Sequence, residues 1–175
     1  TFMLLAGINF SLYYAGLRKN TFKVFKDTEL KVYVGLIAVA TLVVTIDIAM
    51  AVPAAKHESL FECFRYAVFQ VVGVITTTGF GTDNFDVYPS LSKILLVCLM
   101  FVGGMAGSTA GGMKVLRFVV IFRVIWQQIK QVLHPQAVQV VKVNNRRIAN
   151  NVALGAISFF ALGVFVFVIA SLYMA

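Results

Sequence analysis

The run Thr76-Thr77-Thr78-Gly79-Phe80-Gly81 offers chemistry mainly through its backbone carbonyl oxygens. Glycines allow backbone conformations that other residues resist, and rings of such carbonyls can replace the water shell of a potassium ion. The alternative is an ordinary glycine turn between a helix and a loop. We predict that this run, called the strip below, lines a path for cations.

A second cluster places five glycines within the ten residues Gly103–Gly112. If the apolar run that starts at Leu91 is helical, Gly103 lies about 18 Å along it, near or past the middle of a bilayer. Small residues at a spacing of four let helices pack closely, but each glycine costs a helix roughly 1 kcal/mol relative to alanine. We therefore predict an unwound segment in the ion path that acts as a constriction or gate, with these members: Gly103, Gly104, Gly107, Ser108, Thr109, Gly111 and Gly112.

Three acidic residues are further candidates. Asp83 and Asp86 follow the strip, where negative charge would raise the local cation concentration in an outer vestibule, although both also suit an ordinary turn. Asp47 lies inside an apolar run, which makes it a functional candidate by default. Its place near the end of that run favours a carboxylate that either snorkels to the membrane surface or is satisfied by a partner over an ion ligand.

Proteolysis within the membrane is the competing chemistry. Gly79-Phe80-Gly81-Thr82-Asp83 narrowly misses the Gly-x-Gly-Asp pattern of intramembrane aspartyl proteases, with Asp47 as a conceivable second carboxylate. The additional Thr82 moves Asp83 off the expected position. A serine mechanism at Ser108 lacks a histidine within the membrane to act as base. We expect that the protein is not an enzyme.

The composition indicates a membrane protein. Hydrophobic residues make up 60% of the chain, 16 residues are phenylalanine, and only 7 are aspartate or glutamate. The mean hydropathy is +0.89, which lies outside the range of soluble globular domains. The net charge of +8 is better explained by lipid headgroups and cytoplasmic loops than by nucleic acid, because the basic residues fall between the apolar runs.

Four apolar runs are candidate membrane spans: 1–17, 32–52, 91 onward and 151–175. The second has the roughly 20 residues needed to cross a hydrocarbon core. The segments before it and after the third run are rich in Lys and Arg, whereas the segment between is nearly neutral, so the two basic segments are predicted to be cytoplasmic. Because the chain lacks an initiator Met and stops inside an apolar run, we expect a fragment of a longer protein.

The outer segment Leu60–Ile75 is apolar, helical in period and too short to cross and return. A half-helix that enters the membrane from outside and continues as an extended strand satisfies these properties. Glu58 and Ser59 suit its N-terminus. Irregular backbone at membrane depth is tolerated only where it is buried in protein or lines water, so the strip should not face lipid.

Several ordered motifs resemble the Trk/Ktr/HKT superfamily of potassium transporters: Phe69-Gln70-Val71-Val72, Thr76–Phe80, Gly103–Thr109 and Gly112-Met113-Lys114. The run His134-Pro135-Gln136-Ala137-Val138 is similar to the bacterial Trk-type membrane subunit in particular. The resemblance covers nearly the whole chain, and Ala110 departs from it because many relatives are expected to have glycine there.

The resemblance implies an all-α integral membrane protein built from helix–half-helix–helix repeats around one pore. Residues 1–17 would end the second repeat, 18–31 a cytoplasmic loop, 32–133 the third repeat, 134–150 a cytoplasmic linker and 151–175 the start of the fourth repeat. Within the third repeat, the span would be 32–52, the half-helix 58–75, the filter 76–82 and the broken span 89–133. Potassium would bind the carbonyls of Thr77, Thr78 and Gly79, and Gly103–Gly112 would form the intramembrane gating loop.

The resemblance also implies partners and a location. The other three repeats of the same chain, a second copy in a homodimer, membrane lipid and a cytoplasmic nucleotide-binding regulatory subunit are expected, in the inner membrane of a bacterium and with several membrane passes. Potassium would be cargo rather than cofactor, and neither a cofactor nor nucleic acid is expected. A sodium-permeable or non-selective cation transporter of the same family is the alternative, because the other three filter strands decide selectivity.

Overall fold

The computed structural model describes residues 2–18, 26–51, 59–82, 84–133, 142–143, 146–147 and 150–174. These form two compact units, residues 1–115 and 116–175. The elements are α1 (Phe2–Ala6), α2 (Phe10–Arg18), α3 (Thr28–Ala51), α4 (Leu60–Ile75), a 3-10 turn (Phe85–Val87), α5 (Ser90–Val102), α6 (Val115–Leu133), β1 (Lys142–Val143), β2 (Arg146–Arg147) and α7 (Asn150–Met174). Apart from the pair of two-residue strands, the regular structure is helical, which confirms the predicted all-α class.

A helix, a half-helix and a second helix make the centre of the first unit. α4 packs against both α3 and α5, and α3 also packs against α5. α3 is long and apolar enough to cross a membrane, as is residue range 151–173 of α7, whereas α5 is shorter because it stops at Gly103. The predicted repeat and its broken third span are confirmed.

The core of this unit follows one stripe of α3. Tyr33, Ile37, Ala40, Val44 and Ile48 are buried at the three- and four-residue spacing that places side chains on one helix face. The start of α4 agrees with the sequence: Ser59 has extended backbone, and its hydroxyl oxygen accepts the Phe61 N–H at 3.3 Å. Such a cap satisfies one of the free donors at a helix start.

The first apolar run is interrupted. α1 ends at Ala6 and α2 begins at Phe10, whereas the sequence predicts that residues 1–17 form the end of one continuous helix. The Asn9 side-chain oxygen accepts the Ser11 N–H at 2.8 Å, so Asn9 caps the new helix. α1 contacts α4, which brings the interruption close to the end of the half-helix.

The second unit contains the rest of α6, the strand pair and α7. The strands are antiparallel, with Lys142 opposite Arg147. The Arg117 guanidinium carbon lies 3.9 Å from the centre of the Phe159 ring, and the rings of Phe118 and Phe160 meet edge-on at 5.7 Å. Most of the predicted linker 134–150 lies outside the described residues.

Asp47 is the partner-satisfied carboxylate that its position near the end of a span favours. The first turn of α5 has no side-chain cap of its own, because Pro89 precedes it. One Asp47 carboxylate oxygen accepts the Ser92 N–H at 2.9 Å and also the Ser92 hydroxyl. Ser92 is fully buried, so Asp47 supplies from α3 the acceptor that the start of α5 lacks.

We expect Asp47→Ala to lower the free energy of unfolding by about 1–3 kcal/mol, because it leaves two buried donors of Ser92 without an acceptor. The measurement is thermal unfolding of the complete parent protein in detergent. Asp86→Ala is the matched control, since Asp86 is exposed and should melt like the unsubstituted protein. Equal melting of Asp47→Ala and the unsubstituted protein would contradict the capping role.

Candidate functional site

The strip turns back over the end of α4 through its own N–H groups. The N–H groups of residues 76–79 all donate to carbonyls of residues 72–74, at 3.0–3.3 Å. The strip itself therefore satisfies the carbonyls of Val72, Gly73 and Val74 at the end of the helix. The chain still turns through Thr76 and Thr77, where an extended strand is predicted to begin.

Thr77 holds an unusual backbone conformation. The bonds from Thr77 N–H to the Val74 carbonyl and from Thr78 N–H to the Gly73 carbonyl form the pattern of a Schellman helix end. In that motif the residue at the position of Thr77 is left-handed and is usually glycine. Thr77 has φ +54°, which is strained for a β-branched residue.

The threonine hydroxyls hold the strip in place. The Thr76 hydroxyl donates to the Val72 carbonyl at 2.6 Å and lies 2.7 Å from the Thr78 hydroxyl. Because a hydroxyl has one proton, Thr78 must be the donor in the second contact. The Thr77 hydroxyl donates to the Thr76 carbonyl at 2.7 Å. All three hydroxyl protons thus point to protein oxygens.

The next three carbonyls have no hydrogen-bond donor in the part of the chain that the structure describes. Among the described residues, no donor bonds to the carbonyl oxygens of Thr77, Thr78 or Gly79. Residues 77–82 are exposed, although the cavity of about 790 Å³ beside Gly79, Phe80 and Gly81 does not include Thr77 or Thr78 in its lining. The arrangement can therefore offer several adjacent carbonyl oxygens to a cation.

Gly73, inside α4, explains how the strip lies so close to the helix. A Cβ atom at this position would be 2.7 Å from the Phe80 carbonyl oxygen. That distance is below van der Waals contact, so only glycine admits the returning backbone here. Sequence reasoning did not single out Gly73, although a glycine two residues before the end of an apolar helix could have been the signal.

The segment Gly103–Gly112, called the glycine loop below, has no helical structure between α5 and α6. Its two ends touch: a Cβ atom on Gly103 would lie 2.2 Å from the Gly111 carbonyl oxygen and 2.8 Å from the Gly112 Cα. The Met113 N–H bonds to the Phe101 carbonyl at 3.0 Å, immediately outside this contact. The glycine loop is therefore closed on itself.

The glycine loop binds the interruption between α1 and α2 through peptide groups. All three backbone hydrogen bonds are 3.0–3.3 Å long. They run from Met105 N–H to the Gly7 carbonyl, from Thr109 N–H to the Ala6 carbonyl, and from Phe10 N–H to the Gly107 carbonyl. The interruption of the first helix thus frees the peptide groups that the loop uses.

Two charged side chains hold the same loop. The buried Glu29 carboxylate accepts the Ala106 N–H at 2.6 Å, and the Lys114 ammonium donates to the Ala110 carbonyl at 2.6 Å. Glu29 lies in a segment that the sequence predicts to be a loop, but α3 already begins at Thr28. Sequence reasoning missed Glu29 for that reason.

The strip and the glycine loop meet at one hydrogen bond. The Gly111 N–H donates to the Thr77 hydroxyl oxygen at 2.7 Å. The structure therefore brings the two glycine-bearing motifs together in the first unit. Of the two vestibule candidates, Asp83 lies outside the described residues. Asp86 is exposed, and its backbone carbonyl accepts a hydrogen bond from the Lys93 ammonium at 2.6 Å.

Comparisons with known proteins agree with this architecture. The TrkH family, described as a cation transport protein, matches residues 1–174. The Trk system potassium uptake protein TrkH of Salmonella typhimurium strain LT2 is 32% identical over 176 residues, covering 98% of this chain and 35% of that protein. The Trk system potassium uptake protein TrkG of Escherichia coli strain K12 is 31% identical over 163 residues, covering 93% of this chain and 33% of that protein.

A solved structure shows the same likeness. The crystal structure of the potassium transporter TrkH from Vibrio parahaemolyticus superposes with a TM-score of 0.85 at 31% sequence identity, covering 98% of this chain and 36% of that one. This chain spans about a third of the length of these relatives.

We expect Gly103→Ala to destabilise the protein by more than about 2 kcal/mol, because φ is +73° and the new methyl group would meet backbone atoms. Gly35→Ala is the matched control: a Cβ atom there meets nothing within 4 Å, and alanine favours a helix over glycine. Thermal unfolding of both variants in detergent provides the measurement. A Gly103→Ala protein as stable as Gly35→Ala would show that the loop is not closed as described.

Proposed function

We propose, because the chain belongs to the TrkH family of cation transport proteins, that its strip forms one part of a selectivity filter for potassium. The observation that carries the proposal is that, among the described residues, no donor bonds to the carbonyl oxygens of Thr77, Thr78 and Gly79, which lie beside a closed glycine loop. The relatives named above are potassium uptake proteins or transporters by name. Those names fit a transport protein rather than an enzyme.

Peptide geometry supports this role for the strip. In a trans peptide the carbonyl of one residue points opposite to the N–H of the next. The N–H groups of Thr78 and Gly79 point to the end of α4, so the carbonyls of Thr77 and Thr78 point away from it. A cation that sheds its water needs several such oxygens at once, and one strand supplies only a few.

The remaining oxygens would come from the rest of the parent protein. This chain spans about a third of its relatives, and by the family resemblance three further repeats of the same kind would complete the ring. We also propose a homodimer with a cytoplasmic nucleotide-binding regulatory subunit, several passes through the inner membrane of a bacterium, and surrounding lipid. In this scheme Asp83 and Asp86 belong to the outer vestibule.

The glycine loop is proposed as the gate. It contacts the strip directly through Gly111, and apart from the buried Met105 it carries only small side chains. A segment that lies against a filter blocks ions when it stays and admits them when it withdraws. The hydrogen bonds to Gly7, Ala6 and Glu29 would set how easily it withdraws.

Two alternatives lead to different results. A sodium-permeable or non-selective member of the family would share the strip but differ in the other three strands. An aspartyl protease would need Asp47 as a catalytic carboxylate, yet an oxygen of Asp47 is bonded to Ser92. That contact favours transport over proteolysis.

Expression of the complete parent gene in cells without potassium uptake tests the function. Growth rescue at low potassium that is lost in Gly79→Asp would support ion translocation through the strip. Rescue that survives Gly79→Asp would contradict the filter assignment. A correctly inserted protein that carries neither potassium nor sodium would contradict the function itself.

We expect Gly79→Ser to reduce the selectivity for potassium over sodium by about tenfold or more. Gly79 has φ +74°, a conformation that costs a residue with a side chain about 1–2 kcal/mol. A Cβ atom at Gly79 meets nothing within 4 Å, so the effect would come from the backbone and not from a steric clash. Paired potassium and sodium uptake measures the ratio, and Gly35→Ala should leave it unchanged.

Deletion of Gly107–Ala110 should raise basal ion leak. It removes two of the backbone bonds to the interruption between α1 and α2 together with the carbonyl that binds Lys114. Potassium efflux from loaded vesicles measures the leak, with empty vesicles as the control. Efflux at the level of the unsubstituted protein would show that the glycine loop is not a gate.

A further inference from the structure

We propose that the Thr77 hydroxyl is a latch that holds the glycine loop against the strip. This inference rests on the proposed function and assigns a second role to Thr77, in addition to its carbonyl. Among the described residues, the bond from Gly111 N–H to the Thr77 hydroxyl is the only hydrogen bond between residues 76–82 and the glycine loop.

The Thr77 hydroxyl uses its donor and one of its two acceptor positions in this arrangement. It donates its proton to the Thr76 carbonyl at 2.7 Å and accepts the Gly111 N–H at 2.7 Å. A hydroxyl has one donor and two acceptor positions. With the proton directed to the Thr76 carbonyl, an oxygen lone pair is left to accept the Gly111 N–H. The side chain therefore connects the strip backbone to the loop backbone.

The residue type at this position supports the latch. The helix end favours glycine where Thr77 stands, and threonine with φ +54° is strained. Glycine would relieve that strain but would lack the hydroxyl. The strained threonine is explained if its side chain is needed. Among the described residues, that side chain donates a hydrogen bond to the Thr76 carbonyl and accepts one from the Gly111 N–H.

The backbone of the glycine loop lies close to the Thr77 side chain. A Cβ atom on Gly111 would lie 2.9 Å from the Thr77 hydroxyl oxygen and 3.5 Å from the Thr77 Cβ. The backbone of Gly111 thus packs directly on the Thr77 side chain. When the glycine loop withdraws, this bond must break, and the hydroxyl loses the neighbour that orients it.

The consequence is coupling between gate and filter. With the loop in place, the Thr77 side chain is held on both sides, and the backbone of the strip is held with it. With the loop withdrawn, the peptide between Thr76 and Thr77 is less constrained. The Thr77 hydroxyl is thus a positioning group that links the loop's position to the arrangement of the strip.

The test compares Thr77→Val, which removes the hydroxyl and keeps the shape, with Thr77→Ser, which keeps the hydroxyl. Hydrogen–deuterium exchange of peptides covering residues 105–113 in the complete parent protein reports whether the Gly111 amide is protected. We expect faster exchange in Thr77→Val, and restored protection in Thr77→Ser. Thr45→Val is the control, because among the described residues the Thr45 hydroxyl bonds to its own helix alone, at the Thr41 carbonyl.

Ion flux provides the second readout. Loss of one net hydrogen bond should raise the open-to-closed ratio of Thr77→Val by about two- to tenfold, measured as basal potassium efflux from vesicles. The rise should disappear when Gly107–Ala110 is also deleted, since the latch acts only through the loop.

The outcomes separate the latch from the proposed function. Unchanged exchange in Thr77→Val, or equally fast exchange in Thr77→Ser, would overturn the latch whatever the flux shows. If exchange depends on the hydroxyl but the unsubstituted protein carries no potassium, the contact stands and the proposed function fails.

Discussion

The hydrogen bonds from the N–H groups of residues 76–79 to the end of α4 determine the rest of the site. Together with the Thr76 hydroxyl, which donates to the Val72 carbonyl, they satisfy carbonyls at the helix end; at membrane depth this would matter because unpaired peptide groups are costly there. They also set the direction of the carbonyls that follow, since the two groups of a peptide point opposite ways. The strained backbone of Thr77 is part of the cost of this turn.

Three separate parts of the chain meet at the glycine loop: the interruption between α1 and α2, the first turn of α3, and the strip. Most of these contacts involve peptide groups. Such contacts require the backbones to approach closely, which explains the concentration of small residues on both sides. The sequence distance between Ala6 and Thr109 shows that the loop's position depends on the tertiary fold and not on local preference.

Local signals predicted much of this fold, and distant partners account for what they missed. The Ser59 cap and the unwinding after α5 follow from the residues at those places. The break before Asn9 is hidden because the apolar period of the first run continues through it. Glu29 and Asp47 could be recognised as acids, but their partners Ala106 and Ser92 come from other elements. From the sequence alone, a threonine at position 77 argues against a left-handed turn, because β-branched residues disfavour positive φ. Only the fold shows the side-chain contacts that accompany this conformation.

The contact between Gly103 and Gly112 has a consequence for the length of the loop. Since the two ends are already adjacent and the Met113 N–H bonds to the Phe101 carbonyl beside them, the residues between do not have to span a distance. Chain closure costs little more for a longer loop than for a shorter one. Insertions near Ser108 would therefore leave the contact between Gly103 and Gly112 in place. A single methyl group at Gly103 would instead separate these two ends of the loop. The length of the glycine loop and the position of its two ends can therefore vary independently of each other.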